Sequence, residues 1–354
     1  MRAGLISLGS ISSRWLIDAM KKRFDVVDHI DIQDLEVSLG QKKAQVMYKG
    51  KPLPKYDCIY ARGSFRYAVL LRAITTLLQA ETYSPLRTSS FTIGHDKILS
   101  HLKFQEYGVP QPTTYIAATA DAGKKIAKKI PFPVIMKLPA GTHGKGVMLA
   151  DSPEGASSMI DALAMLKQPF LMQEFIDTDG RDLRLIVVGD KIAAAMRRVA
   201  AKGEQRANIH SGGHGEKVLV DDKTRKAAIL AARATGCEIC AVDVLPSIKG
   251  PLVLEVNLSP GLQGITKCTK IDVADIIAEF LFAKTKEFRE RGKEEILKEL
   301  GAEHEILGPL DFRGNRILLP EVVSMASKIK EREEVNIKVK KGFVEITKVE
   351  KEKK

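Results

Sequence analysis

Apolar positions in the first hundred residues alternate between short continuous runs and runs spaced three and four apart. "AGLISLG" (3–9) is continuous and predicts a buried strand, whereas Ile11 to Phe24 carries the spacing of a helix laid against a core. "FDVVDHIDI" predicts a second strand and "YDCIYAR" (56–62) a third. Strands alternating with helices imply a parallel α/β layer of about a hundred residues. "SPLRTSSFTIGHDK" ends in an N-cap for a helix over 96–107, which must stop at "YGVPQPTT", where Gly108 and two prolines forbid continuation.

A second unit follows. "FPVIMKL" (132–138) predicts a strand, "PAGTHGKG" a glycine-rich loop, "VMLAD" a returning strand and 153–166 a helix. "FLMQEFI" precedes a hairpin, "DLRLIVVGDKIAAAMRRVA", that turns at Gly189 and Asp190, and then the loop "GEQRANIHSGGHGEK". A helix over 221–235 leads into strands "CAVDVLPS" and "PLVLEVNLS" with a turn near Gly250, and a long charged helix starts at 272 and runs to about 300. The last fifty residues change character to strand, short helix, strand and strand, with a hairpin turn at Lys341 and Gly342. They predict a separate small domain after about 305, with "KVEKEKK" as a solvated end. No internal repeat stands out.

Composition narrows the class. At 354 residues, 28 % charged and 44 % hydrophobic, the chain is a globular one with room for two or three domains. No apolar run approaches the ~18–20 residues of a membrane span, and the N-terminus reads as a first strand and helix rather than a signal peptide. Four scattered cysteines suit a reducing, cytoplasmic setting. The net charge of +12 resides mainly in the first 283 residues, so it is not a basic tail. It suits acidic substrates, nucleotides or nucleic acid about equally.

Several groups could carry chemistry. Gly141, Gly144 and Gly146, with Thr142 among them, let the backbone turn tightly and offer N–H groups to phosphate oxygens, although an ordinary hairpin loop would read the same. The loop is neither a Walker A motif nor a GxGxxG fingerprint. Lys137, inside the apolar run "VIMKL", needs an anion unless it faces solvent at an edge. Lys97 opens a helix, where a cation opposes the dipole. Asp243, Glu255 and Asn257 lie on two neighbouring strands, with Glu255 and Asn257 on one face. Three such oxygen ligands suit Mg²⁺ completed by phosphates and waters, and a hydrogen-bond cluster is the alternative. Gln173 and Glu174 end a strand, where backbone groups could read an adenine edge and Glu174 could hold ribose hydroxyls. Arg198, Arg206 and Asn208 form a polar rim whose arginines suit carboxylate or phosphate, and His210 reads as solvated or structural. Cys237 and Cys240 form a single CxxC, better explained by packing than by zinc. No Ser/His/Asp or Cys/His triad assembles.

Taken in order, "DK" (96–97), "PVIMKLPAGTHGKGV", "QEFI", "DLRLIVVGDKIAAAMRR", "RANIHSGG", "AVDVL" and "LEVNLSPGLQGI" resemble the RimK-type branch of the ATP-grasp ligases over about residues 1–283. "RANIHSGG" is more similar to the glutamate-adding branch than to the carrier-protein branch of lysine biosynthesis. The resemblance implies an α/β (α+β) ATP-grasp fold with a parallel α/β domain over 1–92 and an ATP-grasp domain over 93–300. The latter would hold a nucleotide subdomain at about 110–176 and a metal-binding subdomain at about 177–283. It implies that Lys97 and Lys137 contact ATP phosphates and that loop 140–146 closes over them. Gln173, Glu174, Phe175 and Ile176 would form the adenine linker, with Glu174 or Asp182 taking ribose. Asp243, Glu255 and Asn257 would hold Mg²⁺ or Mn²⁺. Arg198, Arg206 and Asn208 would face the γ-phosphate or an acyl phosphate, with Ala207 beside the nucleotide. Arg184, Arg62 and Ser64 would be acceptor-side contacts.

The segment "GNRILLPEVVSMASKIKEREEVNIKVKKGFVEI" resembles an AbrB/SpoVT swapped-hairpin domain over about 306–350, which implies a homodimer. Arg313, Arg316 and Lys328 are its candidate DNA contacts, and its near-balanced charge argues against that use. The expected activity is an ATP- and Mg²⁺-dependent carboxylate–amine ligase that works through an acyl phosphate and adds L-glutamate to an acidic protein or cofactor. The alternatives are carrier-protein ligation of the lysine or arginine type and a nucleotide-sensing DNA-binding regulator.

Overall fold

Strand β1 (Arg2–Ser7) is buried at five of its six positions, so it needs cover on both faces. That cover begins with helix α1 (Ile11–Lys21), capped by Ser10, whose hydroxyl accepts from the Ser13 N–H. Strand β2 (Val26–Asp31) pairs parallel to β1. A meander of β3 (Leu35–Ser38), β4 (Gln45–Tyr48) and β5 (Lys51–Pro52) then intervenes before β6 (Cys58–Ala61) completes a parallel sheet of order β2-β1-β6. Helices α2 (Ala68–Leu78), α3 (Ser90–Ile93) and α4 (Lys97–Tyr107) follow. Asp96 caps α4 by accepting from Ile98 and Leu99, and Gly108, at φ 67°, ends it. The computed structural model describes residues 1–40, 44–139, 146–200, 214–301, 311–314, 316–319, 329, 333–341 and 343–348.

Next come β7 (Thr114–Ala117), α5 (Ala120–Ala127), β8 (Val134–Lys137), β9 (Val147–Ala150), α6 (Pro153–Ala164) and β10 (Phe170–Glu174). Their strands form an antiparallel sheet of order β7-β10-β8-β9. Then β11 (Arg181–Val188), β12 (Lys191–Val199), β13 (His214–Lys217), α7 (Asp222–Ala234), β14 (Ile239–Ser247) and β15 (Gly250–Asn257) build a second antiparallel sheet of order β13-β12-β11-β14-β15. The predicted hairpin turn at Gly189 is present, with Val188 opposite Lys191. Helices α8 (Gln263–Thr269) and α9 (Val273–Gly301) close the order. Among the described residues no helix is long and apolar enough to cross a membrane.

The chain divides into two compact units, 1–288 and 289–354. Within the first, one continuous core joins the parallel sheet to the five-stranded sheet and includes Leu5, Leu16, Tyr60, Leu185 and Val242. A second core of Met136, Ile160, Phe170 and Met172 belongs to the four-stranded sheet with α5 and α6. The second unit shows two hairpins, β16 (Asp311–Arg313) with β17 (Arg316–Leu318) and β18 (Val335–Lys340) with β19 (Phe343–Lys348). The short helix expected between them, with Lys328, lies outside the described residues.

Gly123 shows how tightly the smaller core is filled. A Cβ there would stand 2.7 Å from Phe170 Cζ and 3.2 Å from Ile160 Cγ2. Helix propensity favours alanine by about 1 kcal/mol, but overpacking a filled core costs about 1–3 kcal/mol. Gly123→Ala is therefore expected to lower the denaturant midpoint, and a raised midpoint would contradict this packing.

Candidate functional site

Alternation along β11 puts Asp182 and Arg184 on one face and the buried Leu183 and Leu185 on the other. Register then lines up their partners. Asp182 lies opposite Arg198 of β12, Arg184 opposite Asp243 of β14, and Asp243 opposite Glu255 of β15. One face of the sheet thus carries a row of five charges, with Asn257 two residues beyond Glu255. Arg198 donates to both Asp182 oxygens (2.6 and 2.8 Å) and to Asp243 Oδ2 (2.8 Å). Arg184 forks onto Asp243 at 2.8 and 2.7 Å. Burial would raise the Asp243 carboxyl, but the two guanidiniums outweigh it and hold that group well below the usual carboxylate range. Burial pushes Asp182 up to about 6, against the pull of Arg198.

Glu255 is different. Among the described residues it accepts no hydrogen bond, and burial together with the charge of Asp243 pushes its carboxyl up. Lys97, Lys137 and Arg184 pull the other way, so cations face it. Asn257 Oδ1 accepts from the Ser259 N–H at 3.0 Å, and the Ser259 hydroxyl in turn meets the Gly63 backbone. Among the described residues, the Glu255 oxygens and Asn257 Oδ1 each keep at least one unused lone pair. No group of three His, Cys, Asp or Glu side chains comes together among the described residues, so the candidate metal set is two carboxylates and one amide.

The four-stranded sheet contributes the opposite charge. Lys137, at the end of β8, is 7 % exposed and donates to Gln173 Oε1 at 2.6 Å. Burial, with Lys97 acting in the same direction, brings its ammonium down to about 8 despite Glu255. The Gln173 side chain points inward to Lys137, Thr114 and His101. His101 and Gln111 have no local sequence signal, because their partners lie on other elements. Glu174 accepts from Lys249 Nζ (3.0 Å) and the Thr113 N–H (3.2 Å), which together outweigh burial and lower its carboxyl. Phe175 and Ile176 follow, half-buried, in the segment leading to β11.

Lys97 stands half-buried in the first turn of α4, and its N–H donates to the Pro139 carbonyl next to the glycine-rich loop. Gly146, at φ 74°, precedes β9. Gly141, Thr142 and Gly144 lie outside the described residues, as do Arg206, Ala207 and Asn208. Arg184 is committed to Asp243. Arg62 is buried and donates to the Pro260 carbonyl at 2.6 Å, which ties β6 to the segment after β15, and Ser64 is half-buried at the next turn.

The buried lysine of the four-stranded sheet thus acts on Glu255, at the end of the charged row on the five-stranded sheet. Residues 94–281 match the model of the RimK-like ATP-grasp domain. The chain belongs to the RimK-like ATP-grasp family. It is thus an ATP-grasp ligase, of the enzymes that form amide bonds. A probable alpha-L-glutamate ligase of Shewanella loihica is 38% identical over 303 residues, 83% of this chain and 100% of that protein. One of Aliivibrio fischeri is 36% identical over 300 residues, with the same shares of the two chains. Solved ATP-grasp structures agree in fold. The RimK domain ATP-grasp protein of Sphaerobacter thermophilus superposes with a TM-score of 0.62 at 22% identity, covering 79% of this chain and 99% of that one. The ATP-grasp ligase PsnB, complexed with minimal precursor, Mg and ADP, gives 0.63 at 19% identity, over 80% and 98% of the two chains.

Burial lowers the His101 imidazole from 6.5 to about 4, so the folded protein holds it neutral. A depressed folded pKa contributes stability that is complete above the unfolded value and is lost as pH falls through the folded one. Wild type is therefore expected to lose up to about 3 kcal/mol between pH ~6.5 and ~4 through this group. Denaturation series of wild type and His101→Gln across that range should converge as pH falls. Parallel curves would contradict the assignment.

Proposed function

We propose that this chain is an ATP- and Mg²⁺-dependent carboxylate–amine ligase that adds L-glutamate to an acidic acceptor by way of an acyl phosphate. The observation that carries the reading is the opposition of buried Lys137 on one sheet to Glu255, at the end of the charged row, on the other. A site with cations on one wall and hard oxygen donors on the other suits a metal-bound polyphosphate. The names of the curated relatives support glutamate as the amine, and the peptide-bound ligase neighbours support a peptide acceptor.

In this reading Lys97 and Lys137 bind the ATP phosphates, and the loop with Gly141, Thr142, Gly144 and Gly146 covers them. Gln173 steadies Lys137, while Glu174, Phe175 and Ile176 line the adenine side. The ribose falls to Glu174, whose side chain is 26% exposed at the strand end, whereas Asp182 is buried against Arg198. Asp243, Glu255 and Asn257 would hold Mg²⁺, which when bound would supply neutralising charge to the phosphate oxygens. The donor set fits, since Glu255 has its lone pairs free of hydrogen bonds among the described residues and a cation there relieves its repulsion with Asp243.

An acceptor carboxylate oxygen attacks the γ-phosphorus, an O–P bond forms, and the bond to ADP breaks. Arg198, whose Nη1 stands outside its three bonds to Asp182 and Asp243, faces the charge that develops, together with Arg206 and Asn208. The glutamate amine then attacks the acyl carbon, phosphate leaves, and the amine proton is released. Enclosure between the two sheets keeps water from the acyl phosphate.

The C-terminal hairpins favour a second copy of this chain as partner. Ile317, Ile337, Val339, Phe343 and Val344 are all exposed there, Val339 at 70%. Apolar residues so presented on short hairpins need a covering surface, which supports the swapped-hairpin homodimer over DNA binding. Deleting 306–354 is expected to reduce the mass seen by light scattering to that of a monomer, and an unchanged assembly would overturn this reading.

Glu255→Ala is expected to lower ATP turnover by at least about a hundredfold with the fold retained by circular dichroism. Full turnover at saturating Mg²⁺ would sink the metal assignment. Labelled glutamate, ATP and Mg²⁺ incubated with protein and small-molecule fractions of a cell extract should yield ADP and a glutamyl adduct, read by mass spectrometry. Label in a protein makes the acceptor a polypeptide, and label in a small molecule makes it a cofactor. ADP release without label removes glutamate and favours the carrier-type amine. No ADP with tight DNA binding favours the regulator.

A further inference from the structure

Behind Lys137 lies a chain of side chains that the ligase reading does not by itself require. Gln173, 2% exposed, and His101, 5% exposed, are buried behind the lysine, Gln173 bonded to both the lysine and His101. A carboxamide beneath an ammonium can present either its oxygen or its NH₂, and only the oxygen holds the cation. Here both amide hydrogens are committed elsewhere. One goes to Thr114 Oγ1 at 2.8 Å, whose own hydrogen goes to the Pro112 carbonyl at 2.9 Å, so that hydroxyl accepts. The other meets His101 Nε2 at 3.1 Å.

That second contact is a hydrogen bond only if Nε2 carries no proton. Gln111 secures this. Its Oε1, an acceptor only, lies 2.6 Å from His101 Nδ1, and its Nε2 donates to the His101 carbonyl at 3.1 Å. The proton is therefore on Nδ1, and the lone pair of Nε2 faces Gln173. The relay runs from Gln111 through His101 and Gln173 to the Lys137 ammonium, across α4, the turn after it, β10 and β8.

We propose that His101 and Gln111 are positioning residues for Lys137: by fixing the Gln173 amide they hold the ammonium in place for an anionic oxygen of the nucleotide. This inference rests on the reading of Lys137 as a phosphate contact. Neither residue touches substrate.

The test is calorimetric titration of ADP in the presence of Mg²⁺ on the full chain. His101→Leu, which cannot accept from Gln173, is expected to bind ADP roughly tenfold more weakly, the equivalent of about one buried hydrogen bond. His101→Gln places a carboxamide oxygen near the Nε2 position and is expected to restore most of the affinity. In a Lys137→Ala background His101→Leu should add nothing, because the relay acts through that ammonium. A merely structural role for His101 would persist in that background, so additive losses overturn the proposal, as does wild-type affinity in His101→Leu. Wild-type affinity in Lys137→Ala overturns the phosphate reading itself, and the proposal with it. Should His101→Leu fail to fold, Gln111→Leu at the half-buried end of the relay carries the same test, with a smaller loss in the same direction.

Discussion

Asp243 accepts from two guanidiniums at once, and the charged face of the five-stranded sheet is organised around that carboxylate. A carboxylate taken this far out of water needs compensation close by. Arg184 supplies it from the neighbouring strand and Arg198 from one strand further, with Asp182 balancing Arg198 in turn. The row also selects the register. A slip of one residue would turn Asp182 and Arg184 toward the core that holds Leu183, Leu185 and the alanines of α7. Losing Arg198 would leave Asp182 buried without its partner, and losing Asp243 would do the same to Arg184, which is the costly outcome for such networks.

Glu255 extends the row without joining its hydrogen bonds, and this sets it apart chemically. Burial, and then repulsion by the ionised Asp243 beside it, push Glu255 upward, with only partial relief from Lys97, Lys137 and Arg184. The four-stranded sheet places Lys137 in the complementary position, where burial weakens its own charge. Each wall is electrostatically uncomfortable alone. A ligand with a dication toward Glu255 and phosphate oxygens toward Lys137 would satisfy both, which is the physical basis of the nucleotide site we propose.

Much of this was legible in the sequence where the signal was local. Asp96 and Gly108 bounded α4, Gly189 placed the hairpin turn, and the lone lysine in "VIMKL" marked a buried cation. The two-residue spacing of Glu255 and Asn257 gave their common face. Non-local pairing was not legible. The resemblance made Arg184 an acceptor contact, and nothing in "DLRLIVV" announces Asp243 as its cross-strand neighbour 59 residues away. Gln173 read as a linker residue offering its backbone, while its side chain turns inward across 36 residues to Lys137. The β3–β5 meander escaped notice because strands of four residues or fewer carry too little alternation to register. His101 and Gln111 flank a turn that predicts only a helix end.

In the proposed reading, the end of the charged row at Glu255 and the lysine opposite it form one magnesium–nucleotide site. The most direct measurement is the Mg²⁺ dependence of ADP affinity, by calorimetry, in wild type and in Glu255→Gln. Mg²⁺ should tighten ADP binding in wild type, and the isosteric amide should abolish that tightening while metal-free affinity stays close to wild type. An equal Mg²⁺ response in the two proteins would contradict the account, because the metal would then be held somewhere other than at Glu255.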